Sequence, residues 1–145
     1  MRSLVLFTAI LCGACTEPRS SGQPADCCVA PAPVSPAASV SAAARATPAD
    51  TWRSLLAAMR GGDSVAIAQL TTPAGLASLR AGVHGEPEYV AFARWGKGWA
   101  EWEVRWKPES NGKIEAALGP EVKEHGLSFV KTPEGWKLDR WMPGE

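Results

Sequence analysis

The sequence predicts an α+β domain in which short helices precede an antiparallel sheet, and two patterns lead to this prediction. Between residue 47 and about residue 96, apolar residues recur at intervals of three and four, the period of a helix. From about residue 99 onward, apolar and polar residues alternate in short runs separated by turn residues, as they do in strands. With 145 residues, 46% of them hydrophobic, the chain can form one compact domain with extensions.

Three short helices are expected first. The stretch T-P-A-D starts the first helix, because Thr47 can cap it and Asp50 follows three residues later. Asp63 and Thr72 are the expected caps of the second and third helices. The apolar stripe of the first helix consists of Trp52, Leu55, Leu56 and Met59.

The tryptophan-rich stretch that follows fits two structures. Trp95, Trp99, Trp102 and Trp106 are four, three and four residues apart, as on one face of a continuous helix. Trp102 and Trp106 also alternate with charged residues, as in a half-buried strand. Gly96 and Gly98 each disfavour a helix interior by about 1 kcal/mol relative to Ala. We therefore predict a helix from residue 87 to about 96, then a strand from about 99 to 107.

The remaining chain is predicted to form an antiparallel meander. Turns are expected at 109–112 and 123–126, and a hairpin is expected over 127–141 with its turn at P-E-G. Strand alternation places four apolar side chains on the core face, namely Leu127, Phe129, Trp136 and Leu138. Trp141 falls on the opposite face, so it is the indole expected to be exposed and to mark a partner surface.

The N-terminus is typical of a secretory signal. Arg2 precedes an apolar run over residues 4–11 that is too short to cross a bilayer, and small residues come before Cys15. The next segment is rich in Pro, Ala and Ser and buries too little apolar surface to fold, so it is expected to be a disordered tether. The predicted organisation is a signal peptide in 1–14, Cys15 and the tether in 15–46, and a domain in 47–145.

Gly13 and Ala14 directly before Cys15 resemble the lipobox of bacterial lipoproteins, although Cys12 stands where the pattern prefers leucine. This resemblance implies that Cys15 is lipidated and becomes the mature N-terminus. The protein is then secreted and membrane-anchored in the bacterial cell envelope. Adjacent cysteines rarely bridge without strain, so Cys27 and Cys28 are expected to be unpaired or paired between molecules, with metal binding a remote alternative.

The order of the predicted elements resembles the NTF2-like fold, the cone-shaped α+β family that includes ketosteroid isomerase and scytalone dehydratase. The resemblance covers roughly residues 47–141 and rests on a helix ended by G-G-D, a helix capped by T-P, and a final strand G-W-K-L-D-R. It implies helices packed on a curved antiparallel sheet around a pocket. It also implies that enzymes of this kind use an Asp or His as acid or base, and that homodimers form through the sheet.

Four residues are candidates for acid or base chemistry: His84, His125, Glu103 and Asp139. A structural interpretation is favoured for each. Both histidines adjoin glycine in predicted loops, where solvated side chains are usual, and the two carboxylates are expected on outward sheet faces. The sequence has no phosphate-binding glycine loop, nucleophile elbow or metal-ligand cluster, so no catalytic residue, metal or cofactor is assigned.

The tryptophans are the remaining candidates for a site. Most are expected in the core, but they could instead line an open cleft and stack on a sugar or an apolar molecule. The six candidate pocket or surface aromatics are Trp95, Trp99, Trp102, Trp106, Trp136 and Trp141. Fifteen acidic and fifteen basic residues, with no basic run, argue against nucleic acid as a partner.

Three hypotheses for function follow. The first is a membrane-tethered domain that binds an unknown protein or small ligand without catalysis. The second is a small acid/base enzyme of the isomerase or dehydratase kind. The third is a carbohydrate-binding module that uses exposed indoles.

Overall fold

The structure is a computed structural model that describes residues 39–144. Its helices are α1 (Pro48–Gly61), α2 (Ser64–Leu70), α3 (Pro73–Ala81) and α4 (Glu88–Gly98), with short 3₁₀ turns at Ala43–Arg45, Trp99–Glu101 and Glu121–Lys123. Its strands are β1 (Val104–Trp106), β2 (Lys113–Leu118), β3 (His125–Thr132) and β4 (Gly135–Met142). The predicted α+β class, with helices first and an antiparallel sheet after them, is confirmed.

Several predictions fall on residues outside this range. The signal peptide of residues 1–14, the lipidation of Cys15, most of the tether, and the state of Cys27 and Cys28 all lie outside the described residues.

The first three helices begin at the caps that the sequence predicts. Thr47 Oγ1 accepts a hydrogen bond from the Asp50 N–H at 3.0 Å, and its hydroxyl donates to the Asp50 carboxylate at 2.7 Å. Asp63 accepts from the Ala66 N–H at 2.9 Å, and Thr72 accepts from the Gly75 N–H at 3.0 Å. These local hydrogen bonds satisfy backbone donors that no helical turn can satisfy, which is why the helix starts are predictable.

The four strands form one antiparallel sheet in the order β1-β2-β3-β4. The outer edge of β4 is covered by the segment that leads into α3 and by α3 itself. The Thr72 N–H donates to the Leu138 carbonyl at 2.8 Å, and the Trp141 N–H donates to Ser78 Oγ at 2.8 Å. β1 therefore forms the opposite edge of the sheet.

The chain enters the domain beside β4. Residues 39–46 pack against the domain ahead of the predicted start at residue 47. The Val40 N–H donates to Gln69 Oε1 at 2.8 Å. Arg45 lies against Gly135, at the start of β4, and forms an ion pair with Glu134 at 3.5 Å.

The helix α4 is longer than predicted, and the strand after it is shorter. α4 continues through Gly96 to Gly98, and β1 has only three residues, so the predicted strand from residue 99 was wrong over its first part. A Cβ at Gly96 would lie 2.9 Å from both the Leu56 carbonyl oxygen and Met59 Cβ. Gly96 thus allows α4 to contact α1 closely, and this contact outweighs the low helix propensity of glycine.

A β-bulge explains why the prediction for Trp141 was wrong. Phe129 of β3 pairs with Leu138, but Ser128 pairs with Arg140, so Asp139 is an extra residue in β4. An extra residue moves every later side chain to the other face of a strand. Trp141 therefore joins Leu138 in the core and is only 6% exposed.

The core lies between the helices and one face of the sheet. The four residues predicted for the core face of the hairpin are all buried, as are the apolar residues of the α1 stripe. The largest fully buried side chains are Leu55, Met59, Leu70, Leu79, Leu118, Leu127, Phe129 and Leu138. Most of the indoles belong to this core, as predicted, since Trp52, Trp99, Trp136 and Trp141 are buried.

The two glycines of α4 provide a test of the α1–α4 contact. Gly96→Ala should lower the free energy of unfolding by about 1–3 kcal/mol, because the added methyl group overpacks this contact. Gly98→Ala is the matched control, because nothing lies within 4 Å of the Cβ position there. It should raise the free energy of unfolding by up to about 1 kcal/mol through helix propensity. Urea denaturation measures both values, and equal effects would contradict the close contact.

Candidate functional site

Aromatic rings from α1, α4, β3 and β4 converge on Trp99, directly after α4. Its ring centroid lies 5.9 Å from that of Trp52 on α1 and 5.2 Å from that of Trp95 on α4, and both pairs are stacked. Trp141 of β4 is 5.5 Å away, and His125 of β3 is 5.9 Å away. Trp99 therefore connects the helices to the sheet. Trp95 is partly buried and packs against the core.

His125 lies in the strand β3 instead of the predicted solvated loop, so that prediction was wrong. Its ring stacks on Trp102, at 5.4 Å and 17°, and on Trp141, at 5.6 Å and 24°. Nδ1 accepts a hydrogen bond from the Gly144 N–H at 3.0 Å, which places the proton of the neutral ring on Nε2. Burial lowers the pKa of His125 below its ordinary value of 6.5.

An open groove of about 250 Å³ lies between α1 and β1. α1 contributes one wall, and Trp99, the 3₁₀ turn and β1 contribute the rest. The side chains that define it are Trp52 and Arg53 from α1, Trp99 and Trp102 from the segment before β1, and Val104 and Trp106 from β1. We call this the tryptophan groove.

Trp106 is the most exposed of the indoles that line the tryptophan groove. Trp106 is 38% exposed, whereas Trp102 is half-buried and Trp99 is buried. The ring of Trp106 contacts that of Phe129, with centroids 5.5 Å apart and an interplanar angle of 50°. The buried phenyl ring anchors the indole, and the exposed part of the indole offers apolar surface to a ligand ring.

The backbone of β1 offers polar groups along the same groove. Glu103 O accepts from the Gly119 N–H at 3.1 Å, and the Lys107 N–H donates to Glu115 O at 2.9 Å, so the odd-numbered residues face β2. In an antiparallel ladder the intervening residues, Val104 and Trp106, point their N–H and C=O groups to the other side. Within residues 39–144, no other backbone segment pairs with that side of β1.

The tryptophan groove carries little charge. Among the described residues that line it, Arg53 is the one charged side chain, and its guanidinium also pairs with Asp50 at 2.9 Å. The walls are thus indole and aliphatic surface with one cationic donor. Such a surface can stack on rings and donate hydrogen bonds to oxygens.

The four candidate acid/base residues do not come together. His84 is exposed and lines a separate groove with Gly82 and Pro143. Glu103 is exposed and lies on the sheet face opposite the one that carries Val104 and Trp106. Asp139 is the bulged residue of β4, half-buried, and accepts a hydrogen bond from the Thr72 hydroxyl at 2.9 Å, so its role there is structural.

Three of the side chains that define the groove, Trp52, Arg53 and Val104, were not predicted as site residues. Trp52 was assigned only to the core stripe of the first helix, and Arg53 was not considered. Nothing in the local pattern distinguishes Arg53 from an ordinary surface residue, because its place at the groove depends on how α1 packs across the sheet. Within the described part of the chain, three or more His, Cys, Asp or Glu side chains do not cluster in a way that could hold a metal ion.

Comparison with known proteins does not extend this picture: no family model, curated protein or solved structure matches the chain. None of the helices within residues 39–144 has the length and apolar character needed to cross a membrane.

His125 should make the stability of the fold depend on pH. Its folded pKa is lowered, so the unfolded chain takes up a proton first as pH falls. The stabilisation by neutral His125 is present above about pH 6.5 and is lost as pH falls through the folded pKa. The free energy of unfolding should therefore decrease as pH falls below about 6.5.

Two variants separate this contribution from other groups. His125→Phe keeps an aromatic ring between the indoles and should reduce the pH dependence of the free energy of unfolding. His84→Phe, at an exposed loop position, should keep the dependence of the parent protein. An unchanged pH dependence in His125→Phe would show that another group is responsible.

Proposed function

We propose that this protein is a bacterial cell-envelope lipoprotein, anchored through Cys15, whose domain binds a partner or small ligand without catalysis. The anchor is supported by the signal-like N-terminus and the small residues before Cys15. The tether between Cys15 and the domain sets how far the domain can reach from the membrane. Several acyl chains on one cysteine would hold it there stably, since each buried methylene contributes about 0.8 kcal/mol.

We also propose that the domain has an NTF2-like architecture. The order of its elements supports this, because helices precede an antiparallel meander and pack on one of its faces. The large side chains between the helices and the sheet occupy the position of the pocket in such a fold. The tryptophan groove then corresponds to an opening at the edge of the sheet, beside β1.

The observation that carries the binding proposal is the exposure of Trp106 over this groove. A soluble domain normally buries its indoles, and four of the seven here are buried. Trp106 is instead 38% exposed, while its ring contacts the fully buried Phe129. A rigid exposed aromatic beside an apolar groove is the kind of residue that dominates binding energy at contact surfaces.

Carbohydrate is a second candidate ligand class, and the same groove favours it. The apolar faces of sugar rings stack on indoles, and the guanidinium of Arg53 can donate hydrogen bonds to sugar hydroxyl oxygens. The groove is open enough for a ring to reach Trp106 from solvent.

The anchor can be tested with two serine variants. Cys15→Ser should abolish incorporation of labelled palmitate in a bacterial host and move the protein out of the membrane fraction. Cys12→Ser is the matched control. It should keep both the palmitate labelling and the membrane location, because Cys12 lies in the segment removed by cleavage. Palmitate labelling of Cys15→Ser at the level of the parent protein would contradict the anchor.

The ligand site can be tested with soluble peptidoglycan fragments as the carbohydrate probe. Trp106→Ala should weaken their binding at least about tenfold, which corresponds to about 1.4 kcal/mol. Tyr89→Ala is the control, because Tyr89 is also an exposed aromatic but lies on α4. Calorimetric titration gives both affinities. Equal loss in the two variants, or none in Trp106→Ala, would contradict the groove as the carbohydrate site.

A further inference from the structure

The outer edge of β1 is an unusual surface for a sheet of four strands. β4, at the other edge, is covered by α3, but the outward N–H and C=O groups of Val104 and Trp106 pair with no other strand within residues 39–144. Unpaired edges are templates for an added strand, and proteins normally cover or charge them. The residues of this edge indicate which strand fits it.

The hydrogen-bonding groups of the edge are self-complementary. When two copies of β1 pair antiparallel about a two-fold axis at the middle residue, Val104 of each copy lies opposite the partner's Trp106 and exchanges both N–H···O bonds with it. The next pair outward joins Trp102 to the partner's Pro108. Pro108 has no N–H, and the Trp102 N–H already donates to the Trp99 carbonyl at 3.2 Å. The ladder therefore ends on both copies without leaving an N–H group unpaired.

The charges beside the edge are self-complementary in the same register. Glu103 and Lys107 are exposed and lie on the outer face of the sheet, next to β1 on either side. Residue 103 of each copy falls opposite residue 107 of the other, so a carboxylate meets an ammonium on both sides of the axis. The Lys107 ammonium already contacts Glu115 at 3.0 Å, and its three N–H donors allow it to contact a second carboxylate as well.

Arg105 lies on the axis, opposite its own copy, and is the residue that could oppose this register. Like charges directly opposite each other destabilise a pair of strands. The Arg105 guanidinium, however, is turned away from the edge, where it donates to the Gly119 carbonyl at 3.0 Å and to the Glu124 carboxylate at 2.6 Å. Its charge is therefore balanced within its own chain.

We propose that two copies of this chain associate through their β1 edges, in the register centred on Arg105, and join their two four-stranded sheets into one. Residues 103–107 of each copy take part. This is far fewer than the roughly 20–30 residues on each side of a standard interface, so the dimer is weak. We expect a dissociation constant of about 10–100 μM.

The dimer deepens the proposed function, and this consequence rests on that function. Residues opposite each other share a face, so Trp106 of each copy lies beside the partner's Val104, and the two copies of Trp106 are diagonal neighbours about 7–8 Å apart. The two tryptophan grooves then adjoin at the axis and form one site with two exposed indoles. A ligand with several rings, such as a glycan chain, contacts both indoles and binds the dimer more tightly than the monomer.

Sedimentation equilibrium measures the association of two copies directly. The chain is used as residues 15–145 with Cys15→Ser, so that no acyl group contributes, and a reductant prevents disulfides through Cys27 and Cys28. The mean mass should rise from that of a monomer toward twice that value as the concentration increases. The N–H groups on the outer edge of β1 should exchange more slowly over the same range.

The register is tested by two charge reversals in this parent protein. Glu103→Lys and Lys107→Glu should each weaken association at least about tenfold, because each places like charges opposite each other on both sides of the axis. An equimolar mixture of the two variants should recover the parent affinity to within about threefold, since opposite charges then meet again. Lys131→Glu is the matched control, an exposed lysine on β3, and should leave the dissociation constant unchanged.

Each contrary outcome has a definite meaning. A parent protein that stays monomeric up to about 1 mM would overturn the dimer. So would a mixture that associates no better than its separate components, because residue 103 would then not face residue 107. Edge N–H groups protected equally at every concentration would also overturn it, since the edge would then be covered within one molecule.

These measurements use no ligand and no acyl chain, so failure of the glycan titration or of the palmitate labelling leaves them unaffected. The parent protein should bind the peptidoglycan fragments more tightly than Glu103→Lys at concentrations where the parent protein is dimeric. Equal affinities of the two proteins would overturn the shared site while the dimer stands. The dimer, the shared site and the proposed function therefore fail separately.

Discussion

The packing of Trp99 against indoles from two helices and one strand is the interaction on which the rest of the structure depends. It requires that α4 continue through Gly96, because only then does the chain carry Trp99 between Trp52 and Trp141. That continuation in turn requires a glycine where α4 meets α1. With Trp99 inside, the chain leaves the helix and turns into β1, which places Trp102 and Trp106 along the tryptophan groove. Core packing and groove formation therefore have the same cause.

Local signals in the sequence predict much of this fold. The caps at Thr47, Asp63 and Thr72 and the hairpin around P-E-G depend on neighbouring residues, so they are readable from short stretches. The errors occurred where distant segments meet. The role of Gly96 depends on α1, and the burial of Trp141 depends on a bulge against β3. For the site, Trp102 and Trp106 both line the groove although Trp102 precedes β1, and the part played by Trp52 and Arg53 depends on the packing of α1.

The packing of the aromatic cluster buries two polar groups at a cost in stability. The indole N–H of Trp141 is buried without a hydrogen-bond partner among the described residues, and burial lowers the pKa of His125. These polar groups are inside because the rings around them are large and tightly stacked. Trp106 contacts Phe129 of this core but is itself 38% exposed. The proposed binding function follows from the exposure of Trp106 beside the tryptophan groove.

Hydrogen exchange of the indole N–H groups would test the placement of the seven tryptophans most directly. After assignment by single Trp→Phe substitutions, the N–H of Trp106 should exchange faster than that of Trp141, whose Nε1 is fully buried. Rapid exchange of Trp141 with a protected Trp106 would show that the β4 bulge and the groove beside β1 are both incorrect.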